Sequence, residues 1–252
     1  MPRYAWIVEY DGQGFCGWQK QKRNLSKPSV QQVFQDALIR TIDNQVAVVG
    51  ASRTDAGVSA RYQVVHAELP RIFPLEQLKY GLQGELRGLR ISVRDARLVG
   101  PKFHAQRSAM HKVYSYQIVN RTHPPALKRD YGWWVRYPLD VLKMQLAADC
   151  LVGTHDFSGF RSKHCTNNPL KTITSIKVAK QDEVLSIVVE GPAFLMHQVR
   201  IIAGTLVAAG CGRITDIQGV LRSRDRARAG QTAPPQGLVL ERIAFEDDPF
   251  AS

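Results

Sequence analysis

VAVVGASRTDAGVSARYQVVHAEL, residues 46–69, is the stretch on which the fold turns. Val46 to Gly50 and Gln63 to Leu69 are apolar, strand-like runs, and the polar, small-residue segment ASRTDAGVSARY separates them, so the stretch reads strand, loop, strand. Upstream, Tyr4 to Tyr10 has strand composition, and DGQGFCGWQKQKRNLSKPS after it is a long loop bearing Gly and Lys. Ser29 is a suitable N-cap for a helix in which Val30, Val33, Phe34, Ala37, Leu38 and Ile42 fall on one face. Downstream, Pro74 opens a second helix, LEQLKYGLQGEL, and ISVRDARLV supplies another strand. The first hundred residues thus follow the order βαββαβ.

The second half reads similarly. HKVYSYQIVN is a strand, GWWVRY an aromatic segment, and a helix from Asp140 carries Leu142, Leu146, Cys150 and Leu151. TITSIKVAK and EVLSIVVEG are two strands joined by a tight QD hairpin. The strongly apolar helix FLMHQVRIIAGTLVAAG, the shorter helix ITDIQGVLRSRD and the strand GLVLERIAF complete the chain. The expected class is α+β, with two ferredoxin-like βαββαβ units and mainly antiparallel strands. The seam falls between residues 100 and 112, giving an N-terminal domain of residues 1–105 and a C-terminal domain of residues 106–252.

With 252 residues and 44% hydrophobic content there is ample material for a packed core. Lys and Arg total 34 against 22 Asp and Glu, a formal charge of +12, which points to a polyanionic partner. The basic residues are spread along the chain rather than gathered on one amphipathic helix, which favours nucleic acid over a membrane surface. MPRYAWIVEY lacks a charged-then-apolar signal, and no apolar run approaches the ~18 residues that span a bilayer, so a cytoplasmic protein without membrane contact is expected. Cys16, Cys150, Cys165 and Cys211 form no CxxC pair and read as reduced thiols.

Chemistry concentrates in SRTDAGVSA. Arg53, Asp55 and Gly57 share a short loop, and Ala51, Ser52, Ala56, Gly57, Ser59 and Ala60 leave open space around the carboxylate of Asp55. The plain alternative is a turn whose Asp caps backbone amides and whose Arg is solvated. Arg200 lies within an apolar helix beside Val199, Ile201 and Ile202, where burying an unpaired guanidinium costs several kcal/mol. An anion such as Asp55 would answer it, and the pair would keep the carboxylate ionised; otherwise Arg200 snorkels to solvent. Tyr114 and Tyr116 alternate with Val113 and Ser115 and share a strand face, suited to stacking on an unpaired base or to lining a core.

These segments resemble the TruA-type tRNA pseudouridine synthase family. SRTDAGVSARYQVVH is similar to the family's RTDAGV motif, and FHAQRSAMHKVYSYQI, GTHDFSGFRS, FLMHQVRIIAGTL and APPQGLVLERI follow in the family's order. The resemblance implies that Asp55 is the catalytic aspartate and that Arg53 enters the RNA helix as the target base leaves it. Tyr114 is implied to stack on the target uracil, and Arg200 to be the basic partner of the aspartate. It also implies two α/β domains with their sheets joined into one extended sheet and helices on one side, a homodimer, and uridines 38 to 40 of the tRNA anticodon stem-loop as substrate. Ser52 stands where the family usually has Gly, and Ser59 where it often has His.

The expected reaction breaks the bond from C1′ to N1 of uridine, turns the uracil and joins C1′ to C5, which needs neither metal nor organic cofactor. One ionised carboxylate suffices, whether it attacks C1′, attacks a base carbon or removes the 2′ proton. Affinity would come from basic side chains on phosphates, with Lys20, Lys22, Arg23, Lys27, Arg161, Lys163, Arg222, Arg224, Arg226 and Arg228 as candidates. A non-catalytic RNA-binding module would explain the charge, but no RNP1-like pattern is present. A metal-dependent nuclease would need clustered acids, and His155, Asp156, His164 and Cys165 match no zinc spacing.

Overall fold

The computed structural model describes residues 1–21, 26–127 and 129–251, Arg129 by its backbone alone. The chain divides into two compact units, Met1–Met110 with Leu240–Ser252, and His111–Val239.

In the first unit the elements are β1 (Arg3–Tyr10), α1 (Val30–Ile42), β2 (Val49–Gly50), β3 (Ser59–Glu68), α2 (Leu75–Glu85) and β4 (Ile91–Val99), which is the βαββαβ order the sequence predicts. The central strand β1 is antiparallel to both β3 and β4, with Trp6 opposite Val65 on one side and Ala96 on the other. Seven of the eight β1 residues are buried or half-buried, as a strand flanked on both sides and covered by helices should be. Of the run Val46 to Gly50 only Val49 and Gly50 form strand, with Val49 opposite His66. Ser29 caps α1 as expected, its Oγ accepting from Gln32 N at 3.2 Å, and Val30, Phe34, Ala37, Leu38 and Ile42 are buried. Trp6 packs edge-on against Phe34 at 5.9 Å and alongside Tyr4 at 6.0 Å. The Tyr4 hydroxyl donates to Phe73 O and accepts from Phe73 N, so the core aromatic also satisfies a turn.

The second unit contains β5 (Ala109–Asn120), β6 (Trp133–Val135), α3 (Val141–Asp149), β7 (Gly153–Asp156), β8 (Leu170–Ile173), β9 (Ser175–Gln181), β10 (Val184–Gly191), α4 (Gln198–Gly210) and α5 (Ile217–Ser223). β10 is antiparallel to β5 and β9, while β6 runs parallel to β5. The run TITSIKVAK is broken at Thr174: β8 pairs with β7, and β9 pairs with β10 across a turn in which Asp182 takes a left-handed φ of 53°. Asp140 caps α3, but Leu142 and Leu146 are exposed and Met144, Ala147 and Ala148 are buried. Gly210 is the reason: a side chain there would meet Met144 Cγ at 2.7 Å, so α3 and α4 approach closely on the small-residue face rather than on the leucines.

The last strand, β11 (Leu238–Phe245), returns the chain to the first unit, where it lies beside β3 and Arg61 pairs with Glu241 at 2.8 Å. The architecture is α+β with mainly antiparallel strands. Among the described residues no helix is long and apolar enough to cross a membrane.

His66 gives the first unit a pH dependence. It is buried on β3, its Nδ1 accepts from Ala105 N at 3.2 Å, and the His104 ring lies 4.7 Å away. Burial, then the His104 and Arg3 charges, push its pKa down to about 4. The fold therefore favours neutral imidazole, and this stabilisation, about 2–3 kcal/mol, is full above the unfolded pKa near 6.5 and is lost as pH falls toward 4. In urea unfolding, the stability of the native protein relative to His66→Gln should fall by about 2–3 kcal/mol between about pH 7 and pH 4. A difference independent of pH would exclude His66 as the source of this pH dependence.

Candidate active site

The Asp55 loop is held entirely by its neighbours. Ala51 N donates to Val64 O at 2.8 Å, and the side-chain amide of buried Gln63 bonds both backbone groups of Ser52, at 3.1 and 2.6 Å. Thr54 O accepts from Trp18 N at 3.1 Å, and the Thr54 and Tyr10 hydroxyls lie 2.8 Å apart. Val58 N then donates to Asp55 O at 3.1 Å, closing a turn whose third residue, Gly57, has φ 78°. That sign of φ at that position is the type II pattern, for which Gly is the default residue. Ser59 Oγ accepts from Gly12 N at 3.0 Å.

Behind the turn, residues 11–18 pack backbone against backbone. A side chain on Gly12 would collide with the Val58 carbonyl, and one on Gly17, where φ is already +105°, would lie 2.7 Å from Thr54 O. Trp18 is buried, stacks on Tyr10 at 6.0 Å and fills the space against Gly50. The turn leaves Asp55 half-buried and Arg53 exposed. Such a carboxylate can reach a partner molecule without being fully desolvated.

Tyr114 and Arg200 belong to the second unit. Tyr114 is buried on β5 with its ring edge-on to Phe194 at 5.3 Å. Gly191, opposite Lys112 in the ladder, makes room for Phe194, since a Cβ there would stand 3.3 Å from its ring. Arg200 lies in the first turn of α4, half-buried, and its Nε donates to Ala233 O at 2.8 Å while Ala233 N donates to Arg200 O at 3.1 Å. Tyr116 donates its hydroxyl to Pro234 O at 2.7 Å; burial drives its pKa up, opposed by the Arg200 charge. Arg53 and Asp55 thus share one loop of the first unit, and Tyr114 and Arg200 are fixed within the second.

Lys112 escaped the sequence reading. It shares the face of Tyr114 and Tyr116 by the two-residue strand period, and burial lowers its ammonium pKa, as at many functional sites. Trp18 and Tyr10, which steady Thr54, gave no local signal because their contacts are distant in sequence. Among the basic candidates, Lys20, Lys27, Lys163, Arg222 and Arg228 are exposed. Arg161 donates to Asn167 O, Arg224 pairs with Asp156 at 3.0 Å and Arg226 turns inward, while Lys22 and Arg23 lie outside the described residues. Among the described residues no group of three His, Cys, Asp or Glu side chains is placed to hold a metal ion.

A family model described as tRNA pseudouridine synthase matches residues 6–106 and 147–246, taking in the Asp55 loop, β3, and α4 with Arg200. The chain belongs to this family. A protein of Methylobacterium nodulans named tRNA pseudouridine synthase A is 42% identical over 250 residues, covering 98% of this chain and 97% of its own. Proteins of the same name from Rhodospirillum rubrum and a Thermoanaerobacter species are each 40% identical, covering 100% and 95% of this chain and 90% and 98% of their own. Among solved structures, a chain of a Cbf5–Nop10–Gar1 complex aligns over 96% of this chain and 60% of its own, at 9% identity and a TM-score of 0.39. Family membership makes this protein an isomerase that forms pseudouridine in tRNA.

The glycine contacts make a graded prediction. Gly14 also has a positive φ, +91°, but open space around it, whereas Gly17 faces Thr54 O. Gly17→Ala should lower unfolding stability by about 2–4 kcal/mol and Gly14→Ala by about 1–2, since the first adds a collision to the backbone strain. Equal losses in urea midpoints would show that the packing of residues 11–18 on the Asp55 loop contributes nothing.

Proposed function

We propose that this synthase isomerises uridines 38 to 40 of the tRNA anticodon stem-loop, with Asp55 as the essential carboxylate, acting in the cytoplasm as a homodimer. The observation that carries the catalytic assignment is the half-buried Asp55 carboxylate on a turn of small residues whose backbone is hydrogen-bonded at Ser52, Thr54 and Val58. A group that must meet C1′ or a base carbon at bonding distance has to be rigid and approachable at once.

The remaining roles follow from the same segments. The target uridine leaves its stack, at a cost of a few kcal/mol, and Arg53 fills the gap from its exposed position beside Asp55. Tyr114 packs against the extruded uracil, while Arg200 supplies a positive charge to the reaction. Uracil detaches from C1′ at N1, rotates and rebonds through C5; the C5 hydrogen leaves and N1 regains a proton, so the sum of atoms is unchanged. Exposed Lys20, Lys27, Lys163, Arg222 and Arg228 serve phosphates, which makes affinity fall steeply with salt.

The decisive assay is release of tritium from C5 of [5-³H]uridine-labelled tRNA, with the modified positions mapped afterwards. The native protein should release tritium, and Asp55→Ala should lower the rate by about 10³-fold or more while keeping tRNA affinity. Full activity in the variant overturns the role of Asp55. Modification outside positions 38 to 40 overturns the positional assignment and leaves the reaction standing; sedimentation at a monomer mass overturns the homodimer.

A further inference from the structure

Arg226 was one of four arginines with the look of a phosphate-binding run, yet its guanidinium is turned into the second unit. Nη1 donates to Gly230 O at 2.9 Å and weakly to Ala229 O at 3.5 Å, and Nη2 donates to Thr232 Oγ1 at 2.9 Å. All three acceptors belong to the segment 229–232, so one planar fork ties three of its four residues. Burial lowers the pKa of the group, the mark of a charge taken partly out of water to serve carbonyl dipoles.

The segment so fixed lies directly on α4. Gly230 N donates to Thr205 Oγ1 at 2.9 Å, and Thr205 returns its hydroxyl to Ile201 O at 2.7 Å. A Cβ on Gly204 would collide with Gln231 O, and one on Gly230 would lie 2.5 Å from the Gly204 backbone. Two residues further on, Ala233 exchanges hydrogen bonds with Arg200, and Pro234 O takes the Tyr116 hydroxyl. Ala233 is fully buried, so its carbonyl direction is set by the path of residues 229–232. Fixing Nε of Arg200 narrows the orientations open to its guanidinium, and with them the directions of Nη1 and Nη2.

We propose that Arg226 is a positioning residue for Arg200, acting through the backbone of residues 229–233 rather than through RNA phosphate. The inference rests on the assignment of Arg200 to the reaction. Arg226 does not touch substrate; it holds Ala229, Gly230 and Thr232, and the segment they form leads directly into Ala233, whose carbonyl takes the Nε of Arg200. A misdirected guanidinium would still leave tRNA bound, because the phosphate contacts are elsewhere, but it would slow the chemical step.

The test is single-turnover conversion at saturating tRNA, with tRNA affinity and melting measured alongside, for Arg226→Ala, Arg226→Lys, Thr232→Val and Arg200→Lys. Arg226→Ala and Arg226→Lys should each slow conversion about 10- to 100-fold with affinity unchanged within about 3-fold. The lysine variant keeps the charge and loses the fork, which distinguishes positioning from phosphate binding. Thr232→Val, which removes one acceptor without changing shape, should show a smaller loss of the same kind and decides the matter if Arg226→Ala does not fold. In the double variant Arg200→Lys/Arg226→Ala, the second change should cost almost nothing further. Native rates in the folded variants, additive losses in the double variant, or a loss confined to tRNA affinity would each overturn the proposal. Arg200→Lys at the native rate would instead overturn the assignment of Arg200 itself.

Discussion

Close approach of two backbones, residues 11–18 against the loop that carries Asp55, is the constraint on which the first unit is built. Small residues around a carboxylate open it to another molecule, but they also strip the loop of side chains with which to pack. Order has to be imported. Trp18 supplies it from one side through Thr54 O, Tyr10 through the Thr54 hydroxyl, and Gln63 from the other side through the backbone of Ser52. Gly12 and Gly17 are the condition for this arrangement, since any side chain at either would push the supporting loop away. Accessibility at Asp55 and rigidity beneath it are therefore two results of one packing solution.

The second unit meets the same conflict with different parts. Arg200 must sit in an apolar helix without becoming an unpaid charge, and the backbone of Ala233 satisfies its Nε while leaving the rest of the fork directed. Again two glycines, Gly204 and Gly230, permit one backbone to rest on another. Again the supporting segment is fixed from behind, here by Arg226 and Thr205. Backbone carbonyls suit this task because their direction is set by the chain path, whereas a side chain holding another side chain would add its own rotamer freedom.

What the sequence discloses and what it hides divide along a physical line. The βαββαβ order, the Ser29 cap and the apolar face of α1 are written in local periodicity and capping chemistry, and they are found where expected. The face of α3 was not legible, because Leu142 and Leu146 make one apolar stripe while Met144, Ala147, Ala148 and Leu151 make another, and only the approach of Gly210 selects between them. Thr174 breaks an apparently continuous strand because its amide is drawn to Glu190 O, a partner sixteen residues away. The return of β11 to the first unit and the support from Trp18 share that character. Each depends on a contact between residues far apart in sequence, which composition and spacing do not encode.

Ser52 and Ser59 show how such contacts reinterpret a departure from a family pattern. Ser59 places its hydroxyl 3.0 Å from Gly12 N, so the residue ties the Asp55 loop to the glycine on which its support depends. Ser52 is buried, and its backbone donor and acceptor are both taken by Gln63, so the position has little room for a larger side chain. A small residue in place of Gly there reduces the conformational freedom of the unfolded loop without disturbing those two bonds. Both replacements therefore act on the scaffold behind the carboxylate.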